Sequence, residues 1–448
     1  MRKKVLMISL IISSLLPWRW LFAQPVREVE FPEWAKDASI YEVNVRQFTP
    51  EGTFNAFAEH LPRLKEMGVK ILWLMPVHPI GEINRKGNLG SYYSVKDYLA
   101  VNPEFGTLDD FKNLVSKAHA LGLYVIIDWV ANHSAWDNPL AQEHPDWYKK
   151  SKDGQFVSPY DWTDVIAFDY SHPDLRSYMT DAMVWWVKNT DIDGFRCDVA
   201  GLVPVDFWDH TRKALEAIKP VFMLAEADDI PLMYNAFDMA YNWKLMNLMH
   251  RVTHGKAGAH QLDSLINRYL RDYPQGSLMM NFTSNHDENS WAGTEYERYG
   301  AGALAMTVLT ATIPGMPLIY TGQEEPLLRR LKFFDRDPVE FGKYELAGFY
   351  KTLFELKINT PALWNGKYGG TYNRLKTSAG NNIFAYLRSR GDSQVLVIIN
   401  VSTKPSDFTL DDPASIGAWT DVFSGKNLNL HPREKLHLEP WQYLVLKR

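Results

Sequence analysis

One cysteine, Cys197, in 448 residues excludes intramolecular disulfides and leaves no cysteine to carry a lipid at the start of a processed chain. No Cys/His spacing of a zinc site occurs, and no Gly-rich phosphate loop precedes a helix. Lys and Arg total 48 against 53 Asp and Glu, a formal charge of −5 with no basic block, so nothing draws nucleic acid to the surface. Beyond the N-terminus no apolar run is long enough to cross a bilayer. With 46% hydrophobic and 23% charged residues, the chain is neither disordered nor of low complexity. What it has in quantity is aromatic side chains, 13% of residues with 16 Trp and 22 Tyr. A large core absorbs most of them; the remainder suits the flat apolar faces of sugar rings.

At the N-terminus, Arg2, Lys3 and Lys4 precede an apolar run from Val5 to Leu16, and Ala23 stands near a cleavage point. This is the pattern of an export signal over residues 1–24, too short to serve as a comfortable membrane span. The processed protein is therefore expected in the periplasm or the medium, without stable membrane insertion.

Apolar strand-like runs then alternate with amphipathic helical stretches, the signature of a parallel sheet covered by helices. Strands are expected near Ile40 to Phe48, Ile71 to Val77, Leu123 to Val130, Gly194 to Val199, Val221 to Ala225, Phe237 to Tyr241, Leu278 to Thr283 and Pro317 to Tyr320. Helices are expected from Thr53 to Met67 and from Leu108 to Leu121, stopped by Gly68 and Gly122. Eight such units predict an α/β fold, a (β/α)₈ TIM barrel over residues 34–360, with a doubly wound open sheet as the alternative. The Trp-, Asp-, Pro- and Gly-rich stretch 133–172 reads as a small loop domain after the third strand. From about residue 361 to 448, short alternating runs between turn residues predict a C-terminal antiparallel β-domain.

Three acids fall where expected strands run out on one barrel face: Asp198, Glu226 and Asp287. Taken singly, an acid after a strand is more often a helix cap. Their company argues otherwise, because Arg196 stands two residues before Asp198 on the same strand face and His286 immediately precedes Asp287. Residues far apart in sequence converge at the C-terminal face of a barrel. Cleavage of a glycosidic bond needs one carboxylate at the anomeric centre and a second carboxyl group to protonate the leaving oxygen.

The motifs Asp128-Trp-Val-Ala-Asn132-His133, Gly194-Phe-Arg196-Cys-Asp198, Ala225-Glu226 and Ser284-Asn285-His286-Asp287 resemble, in order and spacing, those of the α-amylase family of glycoside hydrolases, family 13. Tyr93-Ser-Val-Lys-Asp97-Tyr98 and Asn102-Pro-Glu-Phe-Gly106-Thr107 are similar to its second-loop signature, and the likeness covers nearly the whole processed chain. The resemblance implies Asp198 as nucleophile of a covalent glycosyl-enzyme, Glu226 as general acid and then base, and Asp287 as the carboxylate holding sugar hydroxyls. It implies Arg196 as the group orienting Asp198, His133 and His286 as hydrogen-bond donors to the sugar, and Tyr93 as the platform under its ring. Asp128 and Asn132 match positions of structural weight. The implied activity is retaining hydrolysis of internal α-1,4-glucosidic bonds in starch-like glucans and malto-oligosaccharides. Alternatives are a cyclomaltodextrinase- or neopullulanase-like hydrolase, an α-glucanotransferase, and, in a different class, an inactive glycan-binding barrel. Retention requires the Asp198 and Glu226 carboxyl groups to stand about 5–5.5 Å apart. Glu226 is expected to be raised in pKa by its negative neighbours and Asp198 to stay ionised beside Arg196.

The chain departs from the family at Gly201 and Leu202, where many relatives carry Lys-His, and at Ala167, where an acidic calcium ligand is usual. Asn132 is retained, and Asp164 and Asp169 are the acids left nearby. These departures count against the family's structural calcium, which needs six to eight oxygens, so no metal or other cofactor is expected to be required. Among aromatics on loops near the cleft, Trp136, Trp147, Trp162, Trp208 and Trp291, the last is the first choice for stacking on glucose, with loop anchoring the competing role for each. Gln323-Glu324 and Asp335-Arg336-Asp337-Pro338 also resemble family features, with structural or substrate-shaping roles.

Overall fold

The structure, a computed structural model, describes residues 29–410 and 412–448. The export signal expected over residues 1–24 lies outside the described residues. Eight strands, β1 (Ile40–Val43), β2 (Ile71–Leu74), β3 (Tyr124–Trp129), β4 (Gly194–Cys197), β5 (Phe222–Ala225), β6 (Met239–Tyr241), β7 (Leu278–Phe282) and β8 (Met316–Tyr320), close into one barrel in the order β1-β8-β7-β6-β5-β4-β3-β2. Every pairing is parallel, and β1 bonds to both β2 and β8, which rules out the open-sheet alternative.

Side chains in each strand alternate between the barrel interior and the helical layer. Ile40, Ile71, Ile126, Phe222 and Met239 fill the interior, while Tyr41, Leu72, Ile127 and Met223 pack outward. Two residues further along several strands, the inward column turns polar: Glu42 above Ile40, Asp128 above Ile126, Arg196 above Gly194. The barrel is thus apolar at its floor and charged at its C-terminal mouth. Gly194 opens β4 at φ +151°, where a Cβ would stand 1.9 Å from the Phe222 carbonyl oxygen, so only glycine lets β4 and β5 approach.

The helices follow their sequence signals. Thr107 and Asp110 form a reciprocal capping box on Leu108–Ala120, whose Phe111, Leu114, Val115 and Ala118 are buried on one face. The single helix expected from Thr53 to Met67 is instead two, Phe54–Ala58 and Leu61–Glu66. Pro62 explains the break, since it has no N–H and its ring excludes the carbonyl of Ala58 from a continuous helix. The first strand also stops at Val43, not Phe48; Asn44 leaves the ladder to bond Thr321 and Tyr320, and Val45–Phe48 forms a helical turn.

After β3 the chain makes an excursion in which His133–Ala135 pairs antiparallel with Val165–Ala167. Beyond the barrel, a six-stranded antiparallel sheet built on Ile383–Arg390 and Ser393–Asn400 packs alongside. Arg388 ties it down by donating to the Thr312 carbonyl at 2.9 Å. No helix among the described residues is long and apolar enough to cross a membrane.

Candidate active site

A cavity of about 410 Å³ opens at the charged mouth, bordered by Tyr93, His133, Asp198, Glu226 and Asp287. At its base lies the fully buried Arg196. Its Nη1 donates to Asp128 Oδ1 at 2.8 Å and to Asp198 Oδ1 at 3.0 Å, and its Nε donates to the Tyr241 hydroxyl at 3.2 Å. Nη2 stands 2.9 Å from Glu226 Oε2, an ion pair in which the N–H groups are not aimed at the oxygen. One guanidinium therefore sits against three carboxylates.

Glu226 leaves the end of β5 and accepts a 2.7 Å hydrogen bond from the Val199 backbone N–H. Val199 reaches it only by adopting φ 36°, a left-handed conformation that a β-branched residue avoids. The strain lies directly beside Asp198 and aims a backbone donor at its partner acid. Asp287, more exposed than the other two, stands 3.2 Å from His286 Nε2. His286 Nδ1 faces the buried Glu42 at 2.5 Å, and its Nε2 is also 2.7 Å from the Tyr93 hydroxyl. Tyr93 lies nearly parallel to the His286 ring, with centroids 5.4 Å apart, and its hydroxyl donates to Asp128 Oδ2.

The electrostatics follow from burial and from who faces whom. Burial discourages charge on His286, but Asp287 and Glu42 outweigh it and hold the ring well above the ordinary histidine range, as an imidazolium donating from both nitrogens. Burial likewise opposes ionisation of Asp287, yet His286 carries its carboxyl below the usual value. His133 has no such partner; burial pushes it down to about 3. Its Nδ1 accepts from Asn132, so the proton of the neutral ring is on Nε2.

For the central pair the structure corrects the expectation. Burial raises Glu226, with Asp287 adding to it and Arg196 opposing, so desolvation and not neighbouring charge is the leading cause. Asp198 is not spared: burial first, then the charge of Glu226, lifts it well above the usual carboxylate range against the pull of Arg196. Arg196 divides its charge among Asp128, Asp198 and Glu226, so its pull on each is weaker than in a one-to-one pair. The carboxyls titrate as a coupled group.

Of the loop tryptophans, Trp162 and Trp291 border the cavity, Trp162 tilted over His133 and Trp291 over Phe333. Trp147 and Trp208 are buried anchors, and Trp136 donates to the Thr163 carbonyl. The cleft also contains residues not singled out as site residues from sequence: Lys86, Phe333 and Phe334, with Asp164 held by Lys86 at 3.0 Å. Glu42 was missed as well, although an acid inside the apolar run of β1 was a legible signal. Of the acids nearest Asn132 in sequence, Asp164 holds Lys86 through Oδ1 and Asp169 accepts the Ser171 N–H through Oδ1 at 3.0 Å. Among the described residues, no three His, Cys, Asp or Glu are grouped as a metal site.

Comparison with known proteins agrees with this geometry. The family model described as alpha amylase, catalytic domain, matches residues 30–165 and 142–340, and that described as maltogenic amylase, C-terminal domain, matches residues 374–445. The crystal structure of a noncanonic maltogenic alpha-amylase, AmyB, from Thermotoga neapolitana is similar at TM-score 0.84 and 30% identity, over 92% of this chain and 99% of that one. Alpha-amylase MalA of Haloarcula japonica is 28% identical over 418 residues, which are 89% of this chain but only 60% of that longer protein. A cyclomaltodextrinase from Bacillus sp is 26% identical over 434 residues, 85% of this chain and 75% of that one.

Proposed function

The chain belongs to the α-amylase family of glycoside hydrolases, and from that premise we propose that it hydrolyses α-1,4-glucosidic bonds of malto-oligosaccharides and starch-like glucans with retention at the anomeric carbon. The observation that carries this reading is the meeting of Asp198 and Glu226 on one buried guanidinium, under a cavity that Asp287 also borders.

Asp198 Oδ1 is tied to Arg196, which leaves Oδ2 to attack the anomeric carbon. Glu226 Oε2 is occupied by the Val199 N–H and lies beside Arg196, so the proton resides on Oε1 and passes to the glycosidic oxygen as its bond to carbon breaks. The buried carboxyl pair holds this proton because ionising both would set two charges against each other out of water. In the second half, the Glu226 carboxylate takes a proton from the water that attacks the anomeric carbon, and the bond to Asp198 breaks. The ionised Asp287 accepts from sugar hydroxyls, the Nε2–H of His133 donates to them, and the Tyr93 ring forms the platform. His286, whose two N–H groups face Glu42, Asp287 and the Tyr93 hydroxyl, acts by holding Asp287 and Tyr93 in place.

An inactive glycan-binding barrel would have no reason to retain Asp198, Glu226, Asp287 and Arg196 together. A second reading, action on cyclic or branched glucans, is favoured by the cyclomaltodextrinase relative and the C-terminal match. The replacement of the family's acidic ligand by Ala167, together with the Lys86 ammonium on Asp164, supports a reading without the family's calcium, and no step is routed through a metal. Export remains part of the proposal on the pattern of residues 1–24, and N-terminal sequencing of secreted protein tests it. Separate incubations with amylose, cyclodextrin and pullulan, followed by product sizing and anomer analysis, test the function. Release of α-anomers from amylose is expected; β-anomers would overturn retention, and cleavage of cyclodextrin alone would favour the second reading.

A further inference from the structure

The loop after β2 crosses the mouth of the barrel and is bonded at both ends. On one side Lys86 Nζ meets Asp164 Oδ1 of the excursion at 3.0 Å, and the Glu82 N–H donates to Asp137 at 3.1 Å. On the other, the Leu89 N–H donates to the Phe334 carbonyl at 3.0 Å, in the loop after β8. Gly87, at φ +63°, lies so close that a Cβ would stand 2.5 Å from Phe334 Cβ. Arg85 bonds the loop onto itself through the carbonyls of Gly81 and Ile80, so the span is stiff. Lys86 and Phe334 both border the cavity that contains the three acids.

The wall also has a direction. Its carriers, β2, the excursion after β3, and β8, occupy one arc of the barrel; Glu226 rises from β5 on the opposite arc. A general acid protonates the leaving oxygen, so Glu226 marks the leaving-group side, and the wall stands on the non-reducing side of the scissile bond. A cavity of about 410 Å³ is also small, near the lower end of the ~300–1,000 Å³ typical of ligand pockets.

We propose that residues 80–91 close the non-reducing side of the cleft, so that the enzyme engages chain ends and releases short malto-oligosaccharides, with the Lys86 ammonium donating to hydroxyls of the terminal sugar. This rests on the glycosidase reading above, narrows its α-1,4 bonds to those near the end of the chain, and departs from the internal cleavage that the sequence resemblance implied. An ammonium offers three donors and sugar hydroxyls accept them, while the Asp164 bond fixes where the ammonium sits.

The test compares maltoheptaose with the same oligosaccharide carrying an ethylidene acetal on its non-reducing glucose. The blocked form is expected to be cleaved at least about tenfold more slowly, and amylose to yield di- or trisaccharide from the earliest times. Equal rates, or an early ladder of long products, would overturn the wall. Lys86→Met, which keeps the apolar stem, is expected to raise KM for maltotriose with little change in kcat and to shrink the discrimination against the blocked end. Unchanged KM and discrimination would remove Lys86 from the proposal. Should the variant fail to fold, the two substrates on the parent enzyme still decide. A parent enzyme that cleaves neither oligosaccharide would sink the glycosidase reading itself, a result distinct from the failure of the wall.

Discussion

Arg196 and Arg212 are both buried arginines that meet carboxylates, but in opposite circumstances. Arg212, on the helix Val205–Glu216, pairs with one buried acid: its Nη1 is 2.9 Å from Asp238 Oδ2, which also accepts the Met223 N–H, while its Nε holds the half-exposed Glu216. There each carboxylate meets its own guanidinium nitrogen, and one of the two is half in solvent. Arg196 instead faces Asp128, Asp198 and Glu226 within 3.0 Å. The first arrangement holds a helix to the barrel; the second gathers three carboxyls around one guanidinium, which on the proposed mechanism retains a proton for chemistry. The contrast predicts that the same kind of substitution has opposite consequences in the two places.

The largest effect is expected from Asp198→Asn, which should lower kcat/KM on maltotriose by more than roughly 10⁴-fold because the proposed nucleophile is lost. The same change removes a repelled buried charge, so the melting temperature at pH 7 should stay level or rise. A loss of activity accompanied by a lower melting temperature would erase the contrast with Arg212. Glu226→Gln should reduce kcat by about 10²–10⁴-fold on substrates with poor leaving groups. Much of that loss should vanish with an activated aryl glycoside, which needs little protonation; an equal loss on both would break the general-acid assignment.

At the other arginine, Asp238→Ala should lower stability by about 3–5 kcal/mol in urea denaturation, because it removes the buried partner of the guanidinium and leaves it only the half-exposed Glu216 as an acid partner. Activity per folded molecule should change little. If this variant proved as stable as the parent, the two regions would not differ as argued.

The pH dependence sharpens the same comparison. Burial raises Asp198 and Glu226 above their unfolded values of about 4, so between the unfolded and folded pKa the native state binds more protons, and stability falls as pH rises through that window. The raised His286 acts in the same sense at higher pH: its contribution is complete below its unfolded value of about 6.5 and is lost as pH rises through its folded pKa. Asp287, lowered, contributes stability above its unfolded pKa that is lost as pH falls. Asp198→Asn should therefore flatten the melting-temperature profile, and kcat/KM of the parent should be bell-shaped, with both limbs belonging to the coupled carboxyls. A pH-independent kcat/KM would contradict a shared proton. The smallest effect expected is that of EDTA, which should leave the melting temperature unmoved.

Much of this was legible before any coordinates. The eight strands lie where apolar runs punctuated by turn residues placed them; Asp198 and Glu226 directly follow β4 and β5, whereas Asp287 lies beyond the end of β7 in a helical turn. The break at Pro62 was equally local and was overlooked. Glu42 could have been found as an acid inside β1, but its partner His286 is 244 residues away, and no local pattern links the two. The sharing of Arg196 among three acids was likewise invisible, since it depends on β3, β4 and β5 lying side by side.

The order of residues alone therefore determined which segments become strands, which side chains face inward, and which acids reach the mouth of the barrel, because alternation along a strand needs only neighbours in the chain. Tertiary structure alone decided which carboxyls gather on one arginine and which loops meet over the cleft. Burial, the division of one guanidinium among several carboxylates, and the meeting of three distant loops are properties of space that no stretch of sequence contains.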